Sequence, residues 1–121
     1  MCSSDLLPSS RFELLGYVDE FGRKRFAVWF EGLDAVASAK VTMALTRLER
    51  GNWSNTKAVG TGVREYKIDF GPGYRIYFGQ DGDRLVILLG GGTKKRQAED
   101  IDAARECWAD YKRRKKHAVD V

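Results

Sequence analysis

Lys67, Asp69, Arg75 and Tyr77 fall at alternate positions of two short segments, 64–70 and 74–78, that flank Gly71-Pro72-Gly73. Alternation places such side chains on one face of a strand pair, with Glu65 in line beside them. Lys57 precedes the first segment, and Lys94-Lys95-Arg96 follows the next apolar run. Cations gathered around one concavity suit a phosphate backbone. Tyr77 and Trp53 interleave rings with those charges, and unpaired bases stack on such rings, so single-stranded RNA fits better than duplex DNA. A plainer reading stands beside this one: Asp69 and Arg75 as a cross-strand ion pair, and the rest as a solvated sheet face.

Cutting a phosphodiester requires one group to take a proton, another to give one, and charge to stabilise the phosphorane-like transition state. A lysine crowded by other cations has its charged form disfavoured, which suits it to the role of base. Lys67 or Lys94 can serve, with Arg75 clamping the scissile phosphate, Tyr77 alongside, and Glu65 as the alternative base. On RNA the substrate's own 2′-hydroxyl is the nucleophile, which needs no metal and yields a 2′,3′-cyclic phosphate or its hydrolysed form. The sole histidine, His117, lies inside the terminal basic run and is not expected to take part. Cys2, Cys107 and one histidine make no zinc site. Glu65 and Asp69 would hold magnesium only in competition with Lys67 and Arg75. No metal or cofactor is therefore expected. Lys57, Arg64, Lys95 and Arg96 are the candidate RNA contacts, although Arg64 shares the apolar parity of its strand unless a bulge turns it. Lys40 and Arg47 join them from a basic helical arc.

The elements that must position these groups follow from hydrophobic spacing. Phe12–Val18 can form a first strand. Phe26, Trp29, Phe30 and Leu33 recur at helical spacing within 22–33. Asp34 can cap a second helix running to Arg50, with Ala37, Val41, Ala44, Leu45 and Leu48 as its buried stripe and Gly51-Asn52 as its stop. Gly71-Pro72-Gly73 predicts a hairpin in which Phe70 faces Tyr74, Ile68 faces Ile76 and Tyr66 faces Phe78. In that register Lys67 lies opposite Tyr77, and Asp69 opposite Arg75. Leu85–Leu89 reads as a central strand, ended by Gly90-Gly91-Gly92. A last helix turns Ile101, Ala104, Trp108 and Tyr111 inward. The expectation is an α+β domain: an antiparallel sheet of about four strands, with two N-terminal helices and one C-terminal helix packed on one face.

With 121 residues the chain suits one domain. Residues 1–10 are expected to be a flexible terminus, 11–112 the domain, and 113–121 a basic tail. Hydrophobic residues at 43% and charged residues at 31% give a globular rather than a disordered balance. The net charge of +4 is modest, so the placement of the cations decides more than their sum. The longest apolar run, Leu85–Leu89, is too short to span a bilayer. The first residues carry no secretory pattern, and two cysteines form no disulfide framework, which together point to the cytoplasm.

Three separated blocks carry a resemblance: Leu45–Asn52; Lys57–Phe78, with Gly-Tyr-Arg at 73–75; and Leu88–Gln97, followed by Asp100-Ile101 and Ala104. Over roughly residues 12–111 the chain resembles the RelE/ParE superfamily, closest to the HigB-like branch often labelled addiction module killer proteins. The resemblance implies a compact microbial-RNase-like fold and an endoribonuclease toxin of a type II toxin-antitoxin system. Such toxins cleave messenger RNA, usually at the ribosome, and are held by a helix-turn-helix antitoxin. It further implies that Arg75 is the arginine of the Gly-Tyr-Arg motif, Lys67 the basic strand position before it, and Lys94-Lys95-Arg96 the basic loop after the last strand. Two departures are visible. Tyr111 and the basic tail give no obvious counterpart to the terminal catalytic tyrosine of some relatives, and the histidines that some HigB proteins use are absent. ParE-like inhibition of DNA gyrase, and a non-catalytic nucleic-acid-binding module, are the alternative functions.

Overall fold

The computed structural model describes residues 11–119, with side chains to Lys116; the expectations for 1–10, and for the chain beyond 119, lie outside the described residues. In chain order the elements are β1 (Glu13–Gly16), α1 (Arg25–Glu31), α2 (Ala35–Glu49), β2 (Thr56–Gly60), β3 (Val63–Ile68), β4 (Tyr74–Asp81), β5 (Leu85–Thr93), a 3-10 turn (Lys94–Arg96) and α3 (Gln97–Val119). The α+β class holds, with two helices before the main strands and one after them. Corrections concern the sheet. It has five strands in the order β1-β5-β4-β3-β2, and it is mixed, because β1 runs parallel to β5.

Local chemistry accounts for the second helix at both ends. The Asp34 carboxylate accepts from the Ala37 amide at 2.8 Å, a cap that contributes about 1 kcal/mol. Ala37, Val41, Ala44 and Leu48 are buried at spacings of four, three and four, one helical stripe. At the far end Gly51 takes a left-handed φ of 83°. The Gly51 and Asn52 amides then return to the Leu48 and Arg47 carbonyls, at 3.1 and 2.9 Å, and satisfy the last turn.

Both faces of the sheet are covered, where the sequence suggested one. Phe26 of α1 and Val41, Ala44 and Leu48 of α2 pack on Tyr66, Ile68, Ile76, Phe78, Val86 and Leu88. Ala104 and Trp108 of α3 pack on the opposite face, against Val63, Tyr77, Ile87 and Leu89. Each layer seats a tryptophan on a strand glycine: a Cβ at Gly91 would come within 2.3 Å of the Trp29 ring, and one at Gly79 within 2.6 Å of Trp108. Large rings lie flat where the strand offers no side chain.

The hairpin register differs from expectation by two residues. Ile68 pairs with Tyr74, Lys67 with Arg75, Tyr66 with Ile76, and Glu65 with Tyr77. The turn takes in Asp69 and Phe70 as well as the three expected residues: the Phe70 amide donates to the Ile68 carbonyl (2.9 Å) and the Gly73 amide to the Phe70 carbonyl (3.0 Å). Phe70 leaves the ladder and stacks on Tyr74, with centroids 6.4 Å apart. A shift of two conserves parity, so each side chain keeps its face while its partner across the strands changes.

The C-terminal helix is tied to the sheet beyond its apolar stripe. Tyr17 donates to Asp110 at 2.6 Å, Tyr111 donates to Asp81, and Lys115 pairs with that same carboxylate. Arg113 and Arg114 both reach Asp110 at 2.8 Å. The basic run at the chain's end is thus a continuation of α3, and three of its cations have carboxylate partners. Among the described residues no helix is long and apolar enough to cross a membrane.

Candidate active site

The face of β3 and β4 that α3 covers is covered only in part. The helix begins at Gln97, and its first turn lies over Gly92, the partner of Arg75 across β5 and β4, where an added Cβ would meet the Asp100 side chain. Tyr77 and Gly79 therefore lie beneath α3, while the Lys67–Arg75 end stays open. The result is a groove of about 450 Å³ whose walls include Asn55, Lys57, Glu65, Lys67, Arg75 and Gln97.

Glu65 is the centre of this groove and is only 1% exposed. Its Oε2 accepts from the Gln97 side-chain amide at 2.8 Å. Arg75 Nε stands 3.5 Å from that oxygen, too poorly aligned to count as a hydrogen bond. Lys57 Nζ lies 3.7 Å from Oε1. A carboxylate taken out of water needs such compensation, since a buried charge without partners is strongly destabilising. Arg75 is itself 5% exposed and is fixed from its other side, where Nη1 donates to the Gly73 carbonyl at 2.9 Å. The Gly-Tyr-Arg turn and the buried carboxylate hold the guanidinium between them.

Two expected pairings are corrected here. Asp69 does not face Arg75; it lies 3.6 Å from Lys67 in an exposed ion pair, of a kind worth 1 kcal/mol or less as a rough figure. Tyr77 does not share an open face with Lys67; it lies opposite Glu65 and is 1% exposed. Among the described residues its hydroxyl has no hydrogen-bond partner. Burial, and then the negative charge of Glu65, push its pKa well above the ordinary phenol value. A ring so enclosed offers no face to a base. Trp53 is likewise occupied: it packs 4.9 Å from Phe12 and 5.3 Å from Phe78, and its indole N–H donates to the Leu48 carbonyl.

The remaining cations surround this centre at different distances. Lys67 and Lys57 present about half or more of their side chains to solvent, at 54% and 66%. Lys40 and Arg47 of α2 line a second groove of about 250 Å³, which shares Asn55, Lys67 and Asp69 with the first. Lys67 thus stands between two basic walls. Arg64 is on the other side of β3, over Trp53 and bonded to the Thr56 hydroxyl, in keeping with its apolar parity. Lys94, Lys95 and Arg96 form an exposed 3-10 turn. It docks on the hairpin turn through the Lys94 amide and the Pro72 carbonyl. Arg96 pairs with Glu99. Sequence reasoning missed Gln97, which carries no motif beyond following the basic run, and missed the edge strand β2 that brings Lys57 to Glu65.

A family model described as phage-derived protein Gp49-like (DUF891) matches residues 28–109. An uncharacterized protein of Haemophilus influenzae is 41% identical over 81 residues, which cover 66% of this chain and 82% of that protein. The matched segment runs from α1 into α3 and contains all the groove residues named above together with the basic wall of α2. The chain belongs to the Gp49-like family of phage-derived proteins.

Proposed function

We propose that the protein is the toxin of a type II toxin-antitoxin pair and acts as a metal-independent endoribonuclease on messenger RNA, engaged at the ribosome. The observation that carries this reading is the groove lined by Lys57, Lys67 and Arg75, with the buried Glu65 carboxylate held by Lys57 and Arg75. Membership in the Gp49-like family and the three-block likeness to RelE/ParE-type addiction module killers support the toxin part. The HigB-like branch is the nearest by that likeness, and a helix-turn-helix antitoxin is the partner it implies.

The chemistry would run as follows. A phosphate seated in the groove meets Arg75, whose fixed guanidinium neutralises charge that builds on the non-bridging oxygens. The RNA 2′-oxygen attacks phosphorus; the bond from phosphorus to the 5′-oxygen breaks, leaving a 2′,3′-cyclic phosphate and a 5′-hydroxyl. Lys67, at the open rim, accepts the 2′-proton and, as the ammonium so formed, gives a proton to the leaving 5′-oxygen, with Lys94 as the second candidate for either transfer. Lys57, Lys40, Arg47, Lys95 and Arg96 hold the strand through its backbone. Tyr77 drops out of the contact set because its ring and hydroxyl are enclosed.

Expression without an antitoxin tests the reading. Rapid arrest of translation, with messages cut to 2′,3′-cyclic phosphate ends and cutting by the purified protein unaffected by EDTA, is expected. Intact messages would overturn it; a DNA-damage response in their place would favour gyrase inhibition.

A further inference from the structure

Nothing in the motif chemistry calls for Gln97, yet its amide makes the one cross-link between the start of α3 and the buried carboxylate. Facing a carboxylate, the amide must present its NH₂ group, since an oxygen there would repel it. Glu65 in turn has both oxygens occupied: Oε2 by Gln97 and Arg75, Oε1 by Lys57. A base must lie within reach of the proton it takes and be free to take it. Enclosed among three partners, Glu65 is not. What the arrangement does instead is geometric. Among the described residues Arg75 Nε makes no hydrogen bond, and the Glu65 carboxylate 3.5 Å away is the charged partner it faces. With Nη1 tied to the Gly73 carbonyl, the rotamer of that carboxylate is the second constraint on the guanidinium's tilt. Gln97 sets that rotamer. The same residue directly follows the Lys94–Arg96 turn, so its hydrogen bond anchors the far end of that basic turn, whose near end is held by the Lys94 amide on the Pro72 carbonyl.

We propose that Glu65 and Gln97 form a positioning pair that orients Arg75 toward the phosphate and docks the Lys94–Arg96 turn beside it, with Glu65 taking no part in proton transfer. The role in catalysis rests on the ribonuclease reading above; the orientation of Arg75 does not.

The experiment follows the Arg75 Nε–H signal by NMR, assigned through its loss in Arg75→Lys, alongside RNA cleavage kinetics. In the wild-type protein the signal should be dispersed and slow to exchange, because the guanidinium is buried beside Glu65. Gln97→Ala should broaden it and speed its exchange while the far-UV spectrum stays unchanged. The rate at saturating RNA should fall on the order of a hundredfold, as misorientation of a positioned group does, with KM held within about threefold. Gln97→Glu sets a second carboxylate against Glu65, so the signal should be lost at neutral pH and recovered in acid. Glu65→Gln adds to the series if it folds, but the Gln97 variants suffice. An unchanged Arg75 signal in Gln97→Ala would overturn the proposal. So would a change in KM alone, which would make Gln97 an RNA contact. A signal that responds as expected in a protein that cuts no RNA would retire the ribonuclease reading and leave the positioning pair standing.

Discussion

Lys67 and Arg75 are direct partners across β3 and β4, yet the two cations divide the acids between them, Arg75 to buried Glu65 and Lys67 to exposed Asp69. Neighbours in the ladder thus have opposite settings. One is a buried charge held in a low-dielectric wall; the other is an exposed charge at the rim. Charge stabilisation needs the first, because a preorganised cation costs no rearrangement as the reaction proceeds. Proton transfer needs the second, because the group must reach and leave the reacting oxygen.

Arg75→Ala should therefore abolish growth inhibition and also cost stability. It leaves Glu65 with Lys57 and Gln97 alone, and removing one partner of a buried ion pair costs about 3–5 kcal/mol. Urea unfolding gives the second quantity, and expression without antitoxin gives the first. A fully toxic Arg75→Ala variant would remove Arg75 from the site.

Lys67→Ala should separate the two effects. Its ion pair with Asp69 is exposed on both sides, so the stability change should stay within about 0.5 kcal/mol. The rate of RNA cleavage should still fall, by a factor of roughly 10²–10⁴ if Lys67 is the proton carrier. If cleavage persists while Lys94→Ala abolishes it, the proton role moves to Lys94.

Gly79→Ala tests the covered face independently of any activity. An added Cβ would stand 2.6 Å from the Trp108 ring, and the ring is enclosed between sheet and helix. Overpacking of this kind costs about 1–3 kcal/mol. Combining it with Trp108→Leu, which frees the space, should cost less than the sum of the two single changes. Full additivity would mean that the two sites do not touch.

The composition of each sheet face was legible, because period-two alternation survives a register error of two. Which face would be covered was not. Glu65, Lys67, Arg75 and Tyr77 together read as a solvent side, and the stripe of Ile101, Ala104, Trp108 and Tyr111 says only that α3 packs on something. The glycines held the missing signal: Gly79, inside a strand otherwise rich in large side chains, marks the seat of Trp108. The turn was misjudged because Phe70, apolar and in phase, looks like a strand residue; its stacking on Tyr74 takes it out of the ladder. The strand β2 has only Val59 as a sizeable apolar residue and sits at a sheet edge, so no pattern announced it. Lys67, Arg75 and Glu65 were named from sequence and do come together. Their division into buried and exposed groups was set by α3, whose starting point no local rule predicts.

The ties between α3 and the sheet give the fold a window of pH. Burial, then the hydrogen bond to Asp110, pushes the Tyr17 hydroxyl up to about 12; burial, then the bond to Asp81, does the same for Tyr111, again to about 12. An unfolded tyrosine ionises near pH 10. The stabilisation from these bonds is therefore complete below about pH 10 and is lost as pH rises through about 12. The acids shift the other way. The hydrogen bond from Lys115, then that from Tyr111, holds Asp81 below its ordinary 3.8, and the bond from Tyr17 comes first for Asp110. Their contribution is complete above the unfolded value of about 3.9 and is lost as pH falls through the lower folded value. Amide exchange across residues 105–119 should thus be slowest between about pH 4 and 10 once corrected for intrinsic rates. Tyr17→Phe with Tyr111→Phe should flatten the alkaline limb, and Asp81→Asn with Asp110→Asn should flatten the acid one. Tyrosinate absorbance showing both Tyr17 and Tyr111 ionising near pH 10 would mean that these bonds do not hold the helix.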